Sequence, residues 1–264
     1  MYEAYWGLSR APFQNVPNPT FFCPIPAHGE ILEKLVYVVQ YGKGGALLTG
    51  EIGCGKSTLS RVFLSQLEEE KYDVGLVINP SFPAEELLYE IARQLDVSPQ
   101  APHRPTLFRS LTDRLVANDQ AGRATVLVMD EAHTIRDQAV FEDLRMLLNF
   151  QFNDRYLLSV IFLGLPELKE SIAQHRSLDQ RLPIRLNLTP LNEAETAFYI
   201  GFRLKKAGAE RRIFTGEAIK SIHQEAGGIP RSINNLCDLC LFEGWRRRVR
   251  EVDPSLVKVA TTFT

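Results

Sequence analysis

Within Thr49-Gly50-Glu51-Ile52-Gly53-Cys54-Gly55-Lys56-Ser57-Thr58, three glycines lead into a lysine and two hydroxyl side chains. Glycines at this spacing let backbone N–H groups close around an anion without a Cβ in the way. A short apolar run, Ala46-Leu47-Leu48, comes before the stretch, and Leu59, Val62, Phe63 and Leu67 follow at helical spacing. Strand, glycine-rich turn and helix is the context in which such a turn holds phosphate, because the helix adds unpaired N–H groups and the positive end of its dipole. The expected binding loop runs from Gly50 through Glu51, Ile52, Gly53, Cys54 and Gly55 to Lys56, Ser57 and Thr58. Lys56 is placed to reach the β- and γ-phosphates of a nucleotide, and the Ser57 hydroxyl to ligate Mg²⁺. An ordinary glycine turn would leave a lysine at that spacing unexplained.

A second constellation, Val126-Leu127-Val128-Met129-Asp130-Glu131, is an apolar run ending in an acidic pair. It places two carboxylates at the carboxyl end of a parallel strand, where ligands bind in open α/β sheets. Asp130 is the expected holder of the Mg²⁺ near Ser57, and Glu131 the expected polariser of an attacking water. Alone, an apolar strand followed by Asp-Glu is common. Downstream of a phosphate loop, it indicates a nucleoside triphosphatase. Two arginines could complete such a site: Arg231, opening a helix after Gly228-Ile229-Pro230, and Arg181, within Asp179-Gln180-Arg181-Leu182. An arginine supplied by a neighbouring subunit stabilises charge on a transferring phosphoryl group. On residue types alone, salt-bridged surface arginines remain the preferred reading of both.

Around these residues, strands alternate with helices. Apolar strands are expected at 74–78, 125–129, 157–163 and 184–188, with helices at 29–41, 83–95, 106–116 and 137–149 and a short one from Pro166. Nearly all-apolar strands in this alternation indicate a parallel sheet covered on both faces. From Asn192 the pattern turns wholly helical. Asn192-Glu193-Ala194-Glu195 is a capping box, Thr215-Gly216-Glu217 starts a second helix, Gly227-Gly228 ends it, and Pro230 and Pro254 open two more. Tyr2, Tyr5, Trp6, Phe13, Phe21 and Phe22 crowd the N-terminus with five prolines, which prevent a continuous helix. The expected organisation is an ordered arm over 1–30 packed on the core, an α/β nucleotide-binding domain over 31–190 and a helical lid over 191–264. For the arm, a wall of an adenine pocket and plain packing are equal alternatives.

Composition sets outer limits. The 264 residues are 45% hydrophobic and 23% charged, with 30 basic against 32 acidic side chains and a formal charge of −2. A globally basic nucleic-acid binder is not indicated, although a local patch is compatible with these totals. Cys237-Asp238-Leu239-Cys240 has a metal-like spacing in an apolar, helix-periodic stretch with no second pair, so buried thiols are expected. Scattered cysteines suit a reducing cytoplasm. The longest strongly apolar run, 157–165, is too short to span a bilayer.

At the level of whole motifs the chain resembles the ExeA/GspA group of AAA+ ATPases. The resemblance rests on Tyr5-Trp6-Gly7-Leu8 with Ala11-Pro12-Phe13, the Leu47-Leu48-Thr49-Gly50-Glu51 approach to the loop, and Gly164-Leu165-Pro166-Glu167-Leu168. Gln180-Arg181-Leu182 and Gly228-Ile229-Pro230-Arg231 extend it. The group is similar in turn to transposition ATPases of the TnsC/TniB type. The resemblance implies ATP and Mg²⁺ as ligands, Gly50 to Ser57 as Walker A and Asp130-Glu131 as Walker B. It makes Arg181 the arginine finger and Arg231 the sensor-2 arginine, and implies a ring or helical oligomer with ATP between subunits. Leu165 departs from the group, where a polar sensor residue commonly precedes the proline. Leucine cannot hydrogen-bond a water or a phosphate, so slow hydrolysis and substitution by Asn149 are the alternatives.

Two functional classes follow. One is a regulator of transposition that assembles on double-stranded DNA with ATP and recruits a transposase. The other is an ATPase of a secretion or pilus-assembly system, acting with partner proteins at the cell envelope. ExeA-type proteins continue into a membrane span and a peptidoglycan-binding domain, so a piece of a longer chain and a free-standing ATPase are the alternatives here, and the bare ATPase length favours the first class as an expectation. So would the arginines of Trp245-Arg246-Arg247-Arg248-Val249-Arg250, if they meet phosphates. A solvated helix end complementing the dipole is the preferred reading of that cluster. Arg203, Lys205 and Lys206 form a weaker basic group, and Leu165 also fits a switch that binds ATP and barely hydrolyses it.

Overall fold

The apolar segments of the first two-thirds of the chain form five parallel strands. The computed structural model describes residues 1–98, 103–152 and 155–263. In chain order the elements are α1 (Glu3–Trp6), α2 (Pro26–Gln40), β1 (Gly45–Gly50), α3 (Lys56–Leu64), β2 (Tyr72–Ile78), α4 (Ala84–Gln94), α5 (Arg104–Gln120) and β3 (Ala124–Asp130). There follow α6 (Ala139–Leu147), β4 (Leu158–Gly164), α7 (Glu167–Ala173), α8 (Arg176–Asp179), β5 (Ile184–Leu188), α9 (Glu193–Lys206), α10 (Gly216–Ala226), α11 (Pro230–Arg246) and α12 (Pro254–Thr261). Two compact units emerge, one of residues 27–50 and 59–188, the other of residues 1–26, 51–58 and 189–264.

The first unit is built on the sheet, ordered β2-β3-β4-β1-β5. Every residue of β1 and β4 is buried, so side chains on both faces of the sheet are covered, and alternating polarity would be a liability there. Because all pairs are parallel, Gly50, Asp130 and Gly164 fall at one carboxyl edge. Apolar faces of α4, α5 and α6 fill the core with Leu88, Leu111 and Phe141. Asp137 ties two of these helices together. One carboxylate oxygen accepts the Ala84 amide at 2.9 Å and the other the Ala139 amide at 3.0 Å.

The second unit is helical, and its helices begin and end where capping chemistry places them. Asn192 and Glu195 form a reciprocal capping box on α9, the Thr215 and Asp253 side chains cap α10 and α12, and Gly227 ends α10 at a positive φ of 59°. The aromatic arm belongs to this unit. Tyr2, Trp6, Phe13 and Phe21 share a core with Ile200, Phe214, Leu241 and Val257. The expectation placed the arm on the α/β core, whereas these aromatics are buried among the helices of this unit. The Trp6 indole donates to the Leu241 carbonyl at 2.8 Å, and the Tyr2 hydroxyl donates to Asp238. Burial, reinforced by that acidic partner, holds the Tyr2 phenol protonated far above its ordinary range.

Arg203, grouped by sequence with two surface lysines, is buried instead. It donates to the Pro12 carbonyl at 2.6 Å, the Gln14 carbonyl at 2.9 Å and the Tyr199 hydroxyl at 2.7 Å. Its guanidinium also lies over the Phe21 ring. The arm is therefore clamped by a buried cation whose donors are shared between two of its carbonyls. Removing the donors strands those carbonyls, so Arg203→Met should lower the unfolding free energy by about 2–4 kcal/mol. A urea midpoint unchanged from the parent would contradict the clamp.

Candidate functional site

The loop Glu51–Thr58 turns directly out of β1 into α3. Gly53 and Gly55 take φ values of 84° and 106°, which side chains with a Cβ rarely adopt. Nothing stands within 4 Å of where a Cβ at Gly55 would project, so the space beside that backbone is open, as a cradle for an anion requires. Gly53 is the opposite case: a Cβ there would lie 2.9 Å from Arg231 Cβ and 3.0 Å from Ile229 Cγ2. Lys56, Ser57 and Thr58 occupy the first turn of α3, where N–H groups lack intrahelical partners. Lys56 is buried and donates to the Glu51 carbonyl at 3.1 Å, folded back along the loop it is expected to serve. Cys54 is buried within the loop, and burial pushes its thiol up, away from the reactive thiolate.

Arg231 is brought to this loop by a helix cap. Ile229 begins α11 without a side-chain cap, Pro230 occupies the first turn, and the Arg231 amide donates to the Gly53 carbonyl at 3.2 Å. Its side chain is exposed. The phosphate loop and the arginine two residues after Ile229 are thus held in one unit by backbone contact.

At the carboxyl edge of the sheet, Asp130 is buried and accepts the Glu131 amide at 3.0 Å through Oδ1. Glu131 sits in the left-handed region at φ 56°, costly for a residue with a Cβ and common where strain serves a site. Thr134 holds it there, its amide and hydroxyl donating to the Glu131 carbonyl at 2.9 and 2.8 Å. Two neighbours of the pair were not singled out by sequence reasoning. Asn79, also left-handed at φ 57°, donates its amide to the Asp130 carbonyl at 3.1 Å. His133 places Nδ1 3.4 Å from Glu131 Oε2. The only sequence signal for either was a polar residue next to a strand end.

Arg181 lies after α8 and donates to Asn149 Oδ1 at 2.6 Å and to the Ser177 carbonyl. Asn149, the suggested stand-in for a polar sensor, therefore has its amide oxygen engaged by the arginine. The Leu165 side chain offers no polar atom, and its amide meets His133 instead. In the helical unit, the arginine cluster is substantially tied down. Arg246 and Arg247 reach the buried Glu243 at 2.7 and 3.5 Å, and Arg248 lies over the Tyr5 ring. Cys237 and Cys240 are free, buried thiols on α11, and burial pushes Cys240 up to about 12. Among the described residues no helix is long and apolar enough to cross a membrane.

Residues 39–172 match the family described as an AAA domain. Over 254 residues the chain is 39% identical to General secretion pathway protein A of Aeromonas hydrophila, covering 94% of this chain and 45% of that one. The chain thus spans less than half the length of that relative. Among solved structures, CDC6P of Pyrobaculum aerophilum is similar with a TM-score of 0.74 at 15% identity, over 92% of this chain and 70% of that one. ORC2 of Aeropyrum pernix, solved with ADPNP and ADP, gives 0.70 at 14%, over 96% and 71%. At those identities the likeness establishes the fold alone.

Replacing Lys56 removes the one cation built into the loop without touching the sheet. Lys56→Ala is expected to weaken ATP binding at least about a hundredfold, a loss of roughly 2.7 kcal/mol in a fluorescent-nucleotide titration. Retained affinity would sink the assignment of the loop.

Proposed function

We propose a function for this chain from one premise: it belongs to the AAA domain family and is a phosphate-loop ATPase. The reading is that it hydrolyses ATP at a site shared between copies of itself, and that this cycle serves a secretion or pilus-assembly system at the cell envelope. The observation that carries it is the 39% identity with a protein named for the general secretion pathway, extending over nearly the whole of this chain.

In this reading, backbone N–H groups around Gly53 and Gly55, with those at the start of α3, take the nucleotide's phosphates. Lys56 would turn from the Glu51 carbonyl to the β- and γ-phosphate oxygens. Ser57 and Asp130 are hard oxygen donors, the chemistry Mg²⁺ selects, and both are assigned to hold it. The ion, when bound, neutralises charge on the phosphate oxygens. Glu131 would orient the attacking water and take its proton as the bond to the γ-phosphorus forms. Arg231, held against the loop, would stabilise charge on the γ-phosphoryl group, and Arg181 would do so from a neighbouring copy. To do so its terminal nitrogens would leave Asn149 Oδ1 and the Ser177 carbonyl, to which they donate within this chain.

A transposition regulator on duplex DNA is the second reading. Arg246, Arg247 and Arg248 are exposed, which keeps it in play, while their ties to Glu243 and Tyr5 weigh against it. One experiment separates the two: molecular mass and binding to random-sequence duplex, each with and without ATP and Mg²⁺, across a salt series. The secretion reading expects ATP-dependent growth in mass and no ATP-dependent DNA binding at low salt. Binding through Arg246, Arg247, Arg248 and Arg250 would instead give a slope of log affinity against log salt of roughly −3.6, and would replace that reading with the DNA-bound one. A mass indifferent to ATP would remove the shared site and the role of Arg181.

A further inference from the structure

We infer that His133 is a positioning residue for Glu131, standing between that carboxylate and the backbone at the end of β4. The inference rests on the proposed role of Glu131. His133 lies in a 3₁₀ turn, Ala132–Thr134, directly after the acidic pair. Its Nδ1 is 3.4 Å from Glu131 Oε2 and 3.4 Å from the Leu165 amide nitrogen. The His133 side chain is 17% exposed and that of Glu131 41%, so the ring is held while the carboxylate faces solvent. Gly164 makes the approach feasible. A Cβ there would stand 3.2 Å from the His133 amide nitrogen and 2.7 Å from Leu168 Cδ2.

One ring nitrogen cannot satisfy both neighbours at once. With the ring proton on Nε2, Nδ1 accepts from the Leu165 N–H and offers Glu131 only a lone pair. With the proton on Nδ1, the ring donates to the Glu131 carboxylate and lets go of the Leu165 amide. His133 therefore couples the orientation of Glu131 to the backbone at the end of β4. Leu165 carries no polar side-chain atom, so the imidazole is the group that gives this corner a hydrogen-bonding side chain beside the carboxylate.

The test compares kcat and KM for ATP in His133→Ala, His133→Leu and His133→Asn, beside Glu131→Gln and the Glu131→Gln/His133→Ala double variant. Leucine restores apolar volume, whereas asparagine restores a polar atom near the Nδ1 position. Positioning predicts kcat lower by roughly ten- to hundredfold in the Ala and Leu variants, with KM within about twofold and Asn recovering most of the rate. The double variant should be no slower than Glu131→Gln alone, because His133 acts through that residue. Independently of turnover, hydrogen exchange at the Leu165 amide should be faster in His133→Leu than in the parent. A parental kcat in His133→Ala, or recovery by Leu equal to that by Asn, would overturn the inference. Slow Glu131→Gln beside a parental His133→Ala would remove His133 alone, whereas parental turnover in Glu131→Gln would remove both roles.

Discussion

The amide of Arg231 donates to the carbonyl of Gly53. The first turn of a helix leaves N–H groups needing acceptors. α11 opens on Ile229 and Pro230 without a capping side chain, and the phosphate loop supplies the missing acceptor. The bond can form because Gly53 has no Cβ, since Ile229 and Arg231 occupy the space one would fill. The same glycine also carries the positive φ that turns the loop. A single position thus shapes the anion cradle and anchors the helix that bears the second arginine. A loop reshaped by nucleotide would be felt first at the start of α11.

The unit that contains both partners of this contact has a core of its own, completed by the N-terminal arm. Trp6 and Tyr2 seat the arm against α11, and Arg203 grips its carbonyls from α9. Basic residues that suggest a nucleic-acid surface in sequence have thereby acquired structural tasks. Arg203 is buried, Arg246 and Arg247 reach Glu243, and Arg248 covers Tyr5. Cations on aromatic faces and beside carboxylates are less available to phosphates, and three of the arginines at 246–250 already have such partners within the fold.

Elements with local signatures were legible in sequence. The glycine-rich loop, the acidic end of β3 and the caps at Asn192, Thr215, Gly227 and Asp253 each depend on residues close together in the chain. α5 begins earlier than expected, at Arg104, because Pro105 is tolerated in the first helical turn. The arm's aromatics announced burial but not the surface that buries them, which is a long-range property. His133, Asn79 and the Arg181–Asn149 bond were invisible for the same reason: each gains its meaning from a neighbour on another strand or loop. A departure such as Leu165 could be seen, but the histidine that meets its amide could not.

The claim that matters most is that nucleotide at the phosphate loop is felt directly at the start of α11, within the same unit, through Gly53. Hydrogen exchange followed by mass spectrometry, with and without ATP and Mg²⁺, addresses it directly. The account predicts that peptides covering 51–58 and 229–233 gain protection together, at the same nucleotide concentration. Protection confined to 51–58, with exchange at 229–233 unchanged, would contradict it.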